Sequence, residues 1–427
     1  MKLRVPGDKS ISQRALILSA LADGESRLRG LLTSEDPVST SAAIRELGVE
    51  IPPLPSEGGE VRIQGRGLRG WTAPAESLDL GNSGTGARLL LGALAAQPFR
   101  TVVTGDHSLR SRPMDRITDP LGQMGARFKY LDRSGRLPVA VGPASGLQGV
   151  DLDLPVASAQ VKSALLLAGL VAGVPVLLTE PGASRDHTER MFSGVGAPVL
   201  RHARGRGWRV ELRDPPDRLE PLDLEVPGDP SSAAFPILAA LLGVGSGEVE
   251  VEGVGLNPTR TGFVDLFRRM GARIEVVVQG DAGGEPVGTM VSERSDMTGI
   301  EVEHHDVVRA VDELPAVAVA AVRASGVTRI TGAGELRVKE TDRIRAMVLN
   351  LTSVGVTCRE LPDGLEIEGT DAPLEGAVES FGDHRIAMVF GVLGAQSGND
   401  IRIEGRESAA VSYPGFWRQL DQMSRGR

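Results

Sequence analysis

The sequence predicts an α/β protein of two similar domains, and three observations carry the prediction. Val5-Pro6-Gly7-Asp8 returns as Val226-Pro227-Gly228-Asp229, and each copy leads through small or polar residues into an apolar, helix-like run. At 427 residues the chain exceeds a single hydrophobic core and fits about two domains. Inside this doubling runs a shorter repeat. A helix-like segment ends in a hydrophobic residue, a glycine and a small residue, then turns into a strand-like run, starting at Leu47, Met124, Val195, Met270 and Val354. That spacing, with alternating helix and strand signals, points to repeated α/β units rather than a solenoid. A weaker ending at Phe416 to Met423 brings the expected count to six units, three per half.

The glycine of each repeat suits a left-handed helix C-cap before the next strand. The boundary between halves is expected at the two Val-Pro-Gly-Asp copies. One domain is then continuous over 9–225, the other combines 1–8 with 226–427, and the paired connecting strands form a hinge. Pro215-Pro216 and the stretch from Gly280 to Gly288 read as turn or hairpin segments.

Composition excludes several classes. Aromatic residues make up 3% of the chain, too few for stacking on bases or sugars to be the main binding mode. The net charge of -9 argues against general nucleic-acid affinity but leaves room for a local anion site. One cysteine, Cys358, excludes an internal disulfide and fits a reducing compartment. The longest apolar run contains Pro175 and is too short to span a bilayer. No apolar signal region precedes Gly7-Asp8-Lys9-Ser10, so a cytoplasmic protein is expected. Only five of the 47 basic residues are lysines, and Lys9, Lys162 and Lys339 fall in the motifs below.

Eight segments are candidates for chemistry. Asp8-Lys9-Ser10 opens a helix that also carries Arg14; taken alone it reads first as a simple capped helix, and otherwise as a good phosphate or carboxylate receptor. Gly81-Asn82-Ser83-Gly84-Thr85-Gly86 lets backbone amides approach a ligand, or is a plain glycine-rich turn. Arg112 before Pro113 sits on a stiff turn, suited to bidentate anion binding or simply exposed. Ser158, Ala159 and Gln160 open another polar helix start, with Lys162 outside it or on a solvated face. Ser184 to Arg190 reads as a solvated helix with internal ion pairs, and its His187 and Glu189 lack the second pair that a zinc site needs. Asp312-Glu313 precedes an apolar helix, where the carboxylates either stabilise the helix dipole or exchange a proton with a hydroxyl. Lys339-Glu340-Thr341-Asp342-Arg343 and Asp383-His384-Arg385 add cations from the second half, or are helix starts with exposed charges.

Together these segments resemble the 5-enolpyruvylshikimate-3-phosphate synthase family of enolpyruvyl transferases. Nine motifs stand in family order from Lys9 to Arg385, Val-Pro-Gly-Asp-Pro-Ser-Ser and Leu-Arg-Val-Lys-Glu-Thr-Asp-Arg-Ile among them. The resemblance implies two domains, each of three βαβαββ units, with the active site in the interdomain cleft. It implies a shikimate-pathway transferase of aromatic amino-acid and chorismate biosynthesis that joins phosphoenolpyruvate to the 5-hydroxyl of shikimate 3-phosphate and releases phosphate. No cofactor and no metal are implied, nor a nucleic-acid or membrane partner, and a monomer is expected. By resemblance, shikimate 3-phosphate meets Lys9, Ser10, Arg14, Ser158, Ala159, Gln160, Ser184, Asp312 and Lys339. Phosphoenolpyruvate meets Lys9, Asn82, Gly84, Arg112, Gln160, Arg343 and Arg385. The catalytic candidates are Asp312, Glu340, Lys9 and His384.

Two positions depart from the pattern. Some members carry a lysine where Val411 precedes Ser412-Tyr413-Pro414, and some carry tyrosine where this chain has His187. A sister enzyme acting on UDP-N-acetylglucosamine uses a cysteine in its first half, where this chain has none. A non-catalytic member would be expected to lose Asp312, Glu340 or Lys9, and all three are present. The motif set is similar to the second sequence class of the family, often associated with tolerance of glyphosate. Gly84 nevertheless leaves space for the inhibitor, so glyphosate is expected to inhibit in competition with phosphoenolpyruvate. An unchanged rate at high glyphosate would reject this.

Overall fold

The computed structural model describes residues 1–55, 58–143, 145–205 and 207–425. The chain divides into two compact units. The first is Gly7–Val226 with Asp281–Glu285, and the second is Met1–Pro6, Pro227–Gly280 and Pro286–Arg427. The short piece 281–285 counts with the first unit because Glu285 bonds His187 Nδ1 at 2.7 Å and Gly284 O accepts from Arg190 at 2.8 Å. The reading of 280–288 as a turn or hairpin segment holds: the neighbouring strands Arg273–Ala282 and Glu285–Glu293 run well into it and turn at Gly283 and Gly284.

A full repeat runs strand, helix, strand, helix, strand, strand. In the first unit, Leu78–Asp79 lies parallel to Thr101–Thr104, which pairs antiparallel with Val139–Val141, which pairs with Phe128–Tyr130. The set Val150–Asp153, Val176–Glu180, Gly207–Leu212 and Leu200–Arg204 repeats that order. The remaining repeat is closed by the end of the unit. Asp223–Glu225 lies parallel to Glu25–Arg29, which pairs with Val61–Gln64, and Glu50 bridges to Gln64.

The second unit shows the same order twice, beginning with Lys2–Leu3 beside Glu248–Gly255 and with Glu301–Val302 beside Val327–Ile330. Its third repeat has only Glu375–Glu379 parallel to Asp400–Glu404, followed by helix Phe416–Arg425. Among the described residues the expected sixth unit is therefore present in shortened form, without the last two strands.

The five repeat glycines, Gly48, Gly125, Gly196, Gly271 and Gly355, all have φ between 80° and 100°. This is the left-handed conformation that side chains with a Cβ avoid, so glycine ends the second helix of each full repeat and turns the chain into a strand. Among the second helices, Asp115–Gln123 and Gly262–Arg269 bury one side and expose the other.

The first helices are different. Lys9–Leu21, Gly84–Ala95 and Ala159–Ala172 bury nearly every residue in the first unit. Pro230–Leu241, Leu314–Val322 and His384–Gly394 do so in the second. A helix apolar all round must be surrounded by protein. Each unit accordingly has its own core around its three central helices. Gly92 permits one close approach: a Cβ there would lie 2.2 Å from Ala164 O on the neighbouring helix.

Gly92→Ala is expected to separate those two helices and cost about 1–3 kcal/mol of stability, as overpacking does. Urea unfolding of the purified variant checks it, and an unchanged midpoint would show that the contact yields without strain.

Candidate active site

Polar motifs gather where the central helices begin. In the first unit, Gln13 Nε2 donates to Ser83 Oγ at 3.0 Å, Gln160 Nε2 donates to Thr85 Oγ1 at 3.0 Å, and Arg88 Nη1 donates to Gln160 Oε1 at 2.8 Å. These bonds join the starts of all three helices. Free backbone N–H groups and the positive ends of the helix dipoles therefore share one region. The caps are local: Asp8 accepts from Ile11 N at 2.8 Å and Ser83 from Gly86 N at 3.2 Å. Ser158 takes the N-cap position before Ala159 without a side-chain cap bond.

Lys9 is one-fifth exposed and its Nζ lies 3.2 Å from Asp36. Ser10 is half-buried, and its carbonyl accepts from Arg14 Nη1 at 3.0 Å. Arg14 itself points into the protein. Its Nε donates to Thr188 Oγ1 at 2.8 Å and its Nη2 to Ser163 Oγ at 3.0 Å. Burial lowers its guanidinium to about 10, against the favourable charge of Glu189. Arg112 donates to Asn82 Oδ1, and to Ser108 Oγ at 3.3 Å. A Cβ at Gly84 would stand 3.1 Å from Arg88 Nη1 and 3.2 Å from Arg112 Nη1, so the glycine lets two guanidinium ends close in beside the helix start.

Two expectations are corrected here. Lys162 is fully buried, 2.9 Å from Glu180 and 2.7 Å from Glu189, rather than on a solvated face. The segment from Ser184 to Arg190 is not a solvated helix either. His187, Thr188 and Glu189 are buried, and Asp186 pairs with Arg190 at 3.0 Å and Arg201 at 3.1 Å. Its charges find partners across the fold, which offsets the loss of water. Ser184 Oγ donates to Glu180 Oε1 at 2.5 Å.

In the second unit the starts of the central helices are again joined. Ser231 donates to Glu313, and Arg385 Nη1 lies 3.9 Å from the same carboxylate. Arg260 reaches Asp229 at 2.9 Å and Ser231 at 3.0 Å, so the second Val-Pro-Gly-Asp copy is part of this cluster. Beside it stands Arg343, 1% exposed, with three carboxylates around one guanidinium. Nε lies 2.7 Å from Asp383, Nη2 2.7 Å from Glu340 and Nη1 3.2 Å from Asp312. Burial opposes its charge, but Asp383, Glu340 and Asp312 outweigh burial and hold the guanidinium above its ordinary range. Asp383 also caps its own helix by accepting from Arg385 N at 2.8 Å. Lys339 Nζ approaches Asp312 at 3.6 Å and Glu335 at 2.9 Å. His384 is buried next to Asp383.

The structure thus brings Lys9, Ser10, Asn82, Gly84, Arg112, Ala159 and Gln160 to the helix starts of the first unit. It brings Asp312, Lys339, Glu340, Arg343, His384 and Arg385 together in the second. Arg14 and Ser184 stand one layer behind, on buried partners. Sequence reasoning assigned no role to Arg88, Thr188, Glu180 and Asp383. Arg88 was detectable as the residue one helical turn after Gly84, and Asp383 as the N-cap before His384-Arg385. Val411 closes the 3₁₀ helix Arg406–Val411, and nearby Arg406 is stacked over Trp417 at 4.3 Å. Among the described residues no cluster of His, Cys, Asp or Glu is placed to hold a metal, and no helix is long and apolar enough to cross a membrane.

The profile of the EPSP synthase (3-phosphoshikimate 1-carboxyvinyltransferase) family matches residues 1–420. The chain is 48% identical over 414 residues to the 3-phosphoshikimate 1-carboxyvinyltransferase of Methylococcus capsulatus, covering 97% of this chain and 92% of that one. It is 46% identical over 426 residues to the Geobacter metallireducens protein of the same name, covering 99% and 96%. Among solved structures, EPSP synthase from Acinetobacter baumannii superimposes with a TM-score of 0.87 at 42% identity, covering 99% of this chain and 95% of that chain. The enolpyruvyl transferase NikO from Streptomyces tendae shares the fold at 18% identity, with a TM-score of 0.74 and coverage of 99% and 94%.

Asp383→Ala would leave Arg343 buried beside two partly exposed carboxylates. A loss of about 3–5 kcal/mol is expected, as for a broken buried ion pair. Urea unfolding measures it, and a loss below about 1 kcal/mol would show that Asp312 and Glu340 suffice to hold the charge.

Proposed function

This chain belongs to the EPSP synthase family, and on that premise we propose how its two residue sets divide the reaction. The reaction transfers the enolpyruvyl group of phosphoenolpyruvate to the 5-hydroxyl of shikimate 3-phosphate. The oxygen of that hydroxyl bonds to C2 of phosphoenolpyruvate, the hydroxyl gives up its proton and C3 gains one. In the second step C3 loses a proton, the bond from C2 to the phosphate oxygen breaks, and inorganic phosphate leaves.

Two phosphates and a carboxylate on each substrate must be gathered against their own repulsion. Fixed donors offset that repulsion without reorganising during the reaction. Lys9, Ser10, Arg14, Ser158, Ala159, Gln160 and Ser184, with Asp312 and Lys339, are assigned to shikimate 3-phosphate. Lys9, Asn82, Gly84, Arg112, Gln160, Arg343 and Arg385 are assigned to phosphoenolpyruvate. The helix starts that Gln13, Gln160 and Arg88 tie together support the anion-binding part of the assignment.

The observation that carries the proton chemistry is the arrangement around Arg343. One buried guanidinium holds both Asp312 and Glu340, each on its own nitrogen. Asp312 and Glu340 exchange the protons of the two steps, with Lys9 and His384 as further donors. Lys339 Nζ stands 3.6 Å from Asp312 and brings a cation to the same carboxylate. No cofactor is assigned, and the protein is assigned as a cytoplasmic monomer.

Mixing the protein with phosphoenolpyruvate and shikimate 3-phosphate should release inorganic phosphate, and UDP-N-acetylglucosamine in place of shikimate 3-phosphate should not. Asp312→Asn and Glu340→Gln should each lower kcat by about 10²–10⁴-fold, the usual scale of general acid–base catalysis. Wild-type kcat in either variant would remove that residue from the proton-transfer path.

A further inference from the structure

Lys162 is a buried charge for which the assignment above has no use. Its Nζ lies 2.9 Å from Glu180 Oε2 and 2.7 Å from Glu189 Oε1, with the lysine and Glu180 fully shielded from water. Among these three side chains one cation stands between two anions. The three side chains come from three different elements: helix Ala159–Ala172, strand Val176–Glu180 and helix His187–Gly194.

Each carboxylate stands directly behind a residue assigned to shikimate 3-phosphate. Glu180 takes its second oxygen to Ser184 Oγ at 2.5 Å. Glu189 is adjacent in the helix to Thr188, which accepts from Arg14 Nε at 2.8 Å, and its charge favours the protonated guanidinium of Arg14. Lys162 itself lies two residues beyond Gln160. The charges therefore alternate, from Glu180 through Lys162 and Glu189 to Arg14.

We propose that Lys162 is a positioning residue for the phosphate-bearing substrate. It neutralises the carboxylates behind Ser184 and Arg14, so that a multiply charged anion meets those residues without facing two unscreened buried negative charges. In its absence the two carboxylates repel each other and the incoming phosphate, and both retain claims on Ser184 and Arg14. This inference rests on the assignment of Ser184 and Arg14 to shikimate 3-phosphate.

The test is steady-state kinetics with both substrates varied, on wild type, K162M, E180Q and K162M/E180Q. Counted over Lys162, Glu180 and Glu189 alone, the charge is -1 in wild type, -2 in K162M, 0 in E180Q and -1 in the double variant. The amide introduced by E180Q keeps an oxygen that can accept from Ser184. The KM for shikimate 3-phosphate should rise about tenfold or more in K162M, within the range of coupling in buried networks. It should return to within about threefold of wild type in K162M/E180Q and stay at or below wild type in E180Q. The KM for phosphoenolpyruvate should change less than about threefold throughout.

A purely structural role would move both KM values together and would make the double variant worse than either single one, and that result overturns the proposal. If K162M does not fold, E180Q decides, because a clear rise in its KM for shikimate 3-phosphate contradicts the charge argument. Failure of the wild type to turn over shikimate 3-phosphate would instead overturn the functional reading beneath it.

Discussion

A guanidinium with almost no access to water holds the second unit's polar cluster together. Taking Arg343 out of solvent is costly, and the cost is offset only if its donors are filled by good acceptors. Three carboxylates fill them, and they outweigh burial enough to raise the pKa. The constraint runs both ways. Arg343 needs Asp312, Glu340 and Asp383, and each carboxylate has its position set by the fork-shaped cation it pairs with. Asp383 does two jobs with two oxygens, capping the His384 helix and closing on Arg343.

The neighbouring acids Asp312 and Glu313 show how the fold separates like charges. Adjacent in sequence, they face different partners: Asp312 turns to Arg343 and Lys339, Glu313 to Ser231 and Arg385. Glu313 is buried and Asp312 keeps some exposure. An exposed edge suits a carboxylate that meets substrate, and a buried one suits a carboxylate that fixes other side chains. The first unit gathers helix starts, glycine and arginine ends instead, and its carboxylates there are engaged locally, Asp8 on Ile11 N and Asp36 on Lys9.

Local features were legible in the sequence and distant pairings were not. The left-handed glycines at 48, 125, 196, 271 and 355 follow from a backbone preference that neighbours in sequence decide. The caps at Asp8, Ser83 and Asp383 are equally local. By contrast, charge density at 184–190 suggested solvent, because density alone does not say whether partners lie across the fold. Those partners, Arg201 and Glu285, are 15 and 98 residues from the residues they meet. Arg14 fails to read as buried for the same reason: Thr188 lies 174 residues away. The shortened sixth repeat was visible as a weak signal, and its missing strands account for that weakness.

The choice between lysine and arginine follows from the number and geometry of the acceptors. Four of the five lysines, Lys2, Lys9, Lys162 and Lys339, lie within 3.6 Å of a carboxylate. A compact ammonium on a flexible stem fits between two carboxylates converging on one point, as at Lys162, whereas a planar fork fits acceptors spread around its rim, as at Arg343. At Lys9, Lys162 and Lys339 the lysine thus delivers its charge to a point. At Lys9 and Lys339 that point is partly open to solvent, and at Lys162 it is closed. The open pair is suited to meeting a ligand directly, and the closed one to setting the electrostatic background against which the ligand is met.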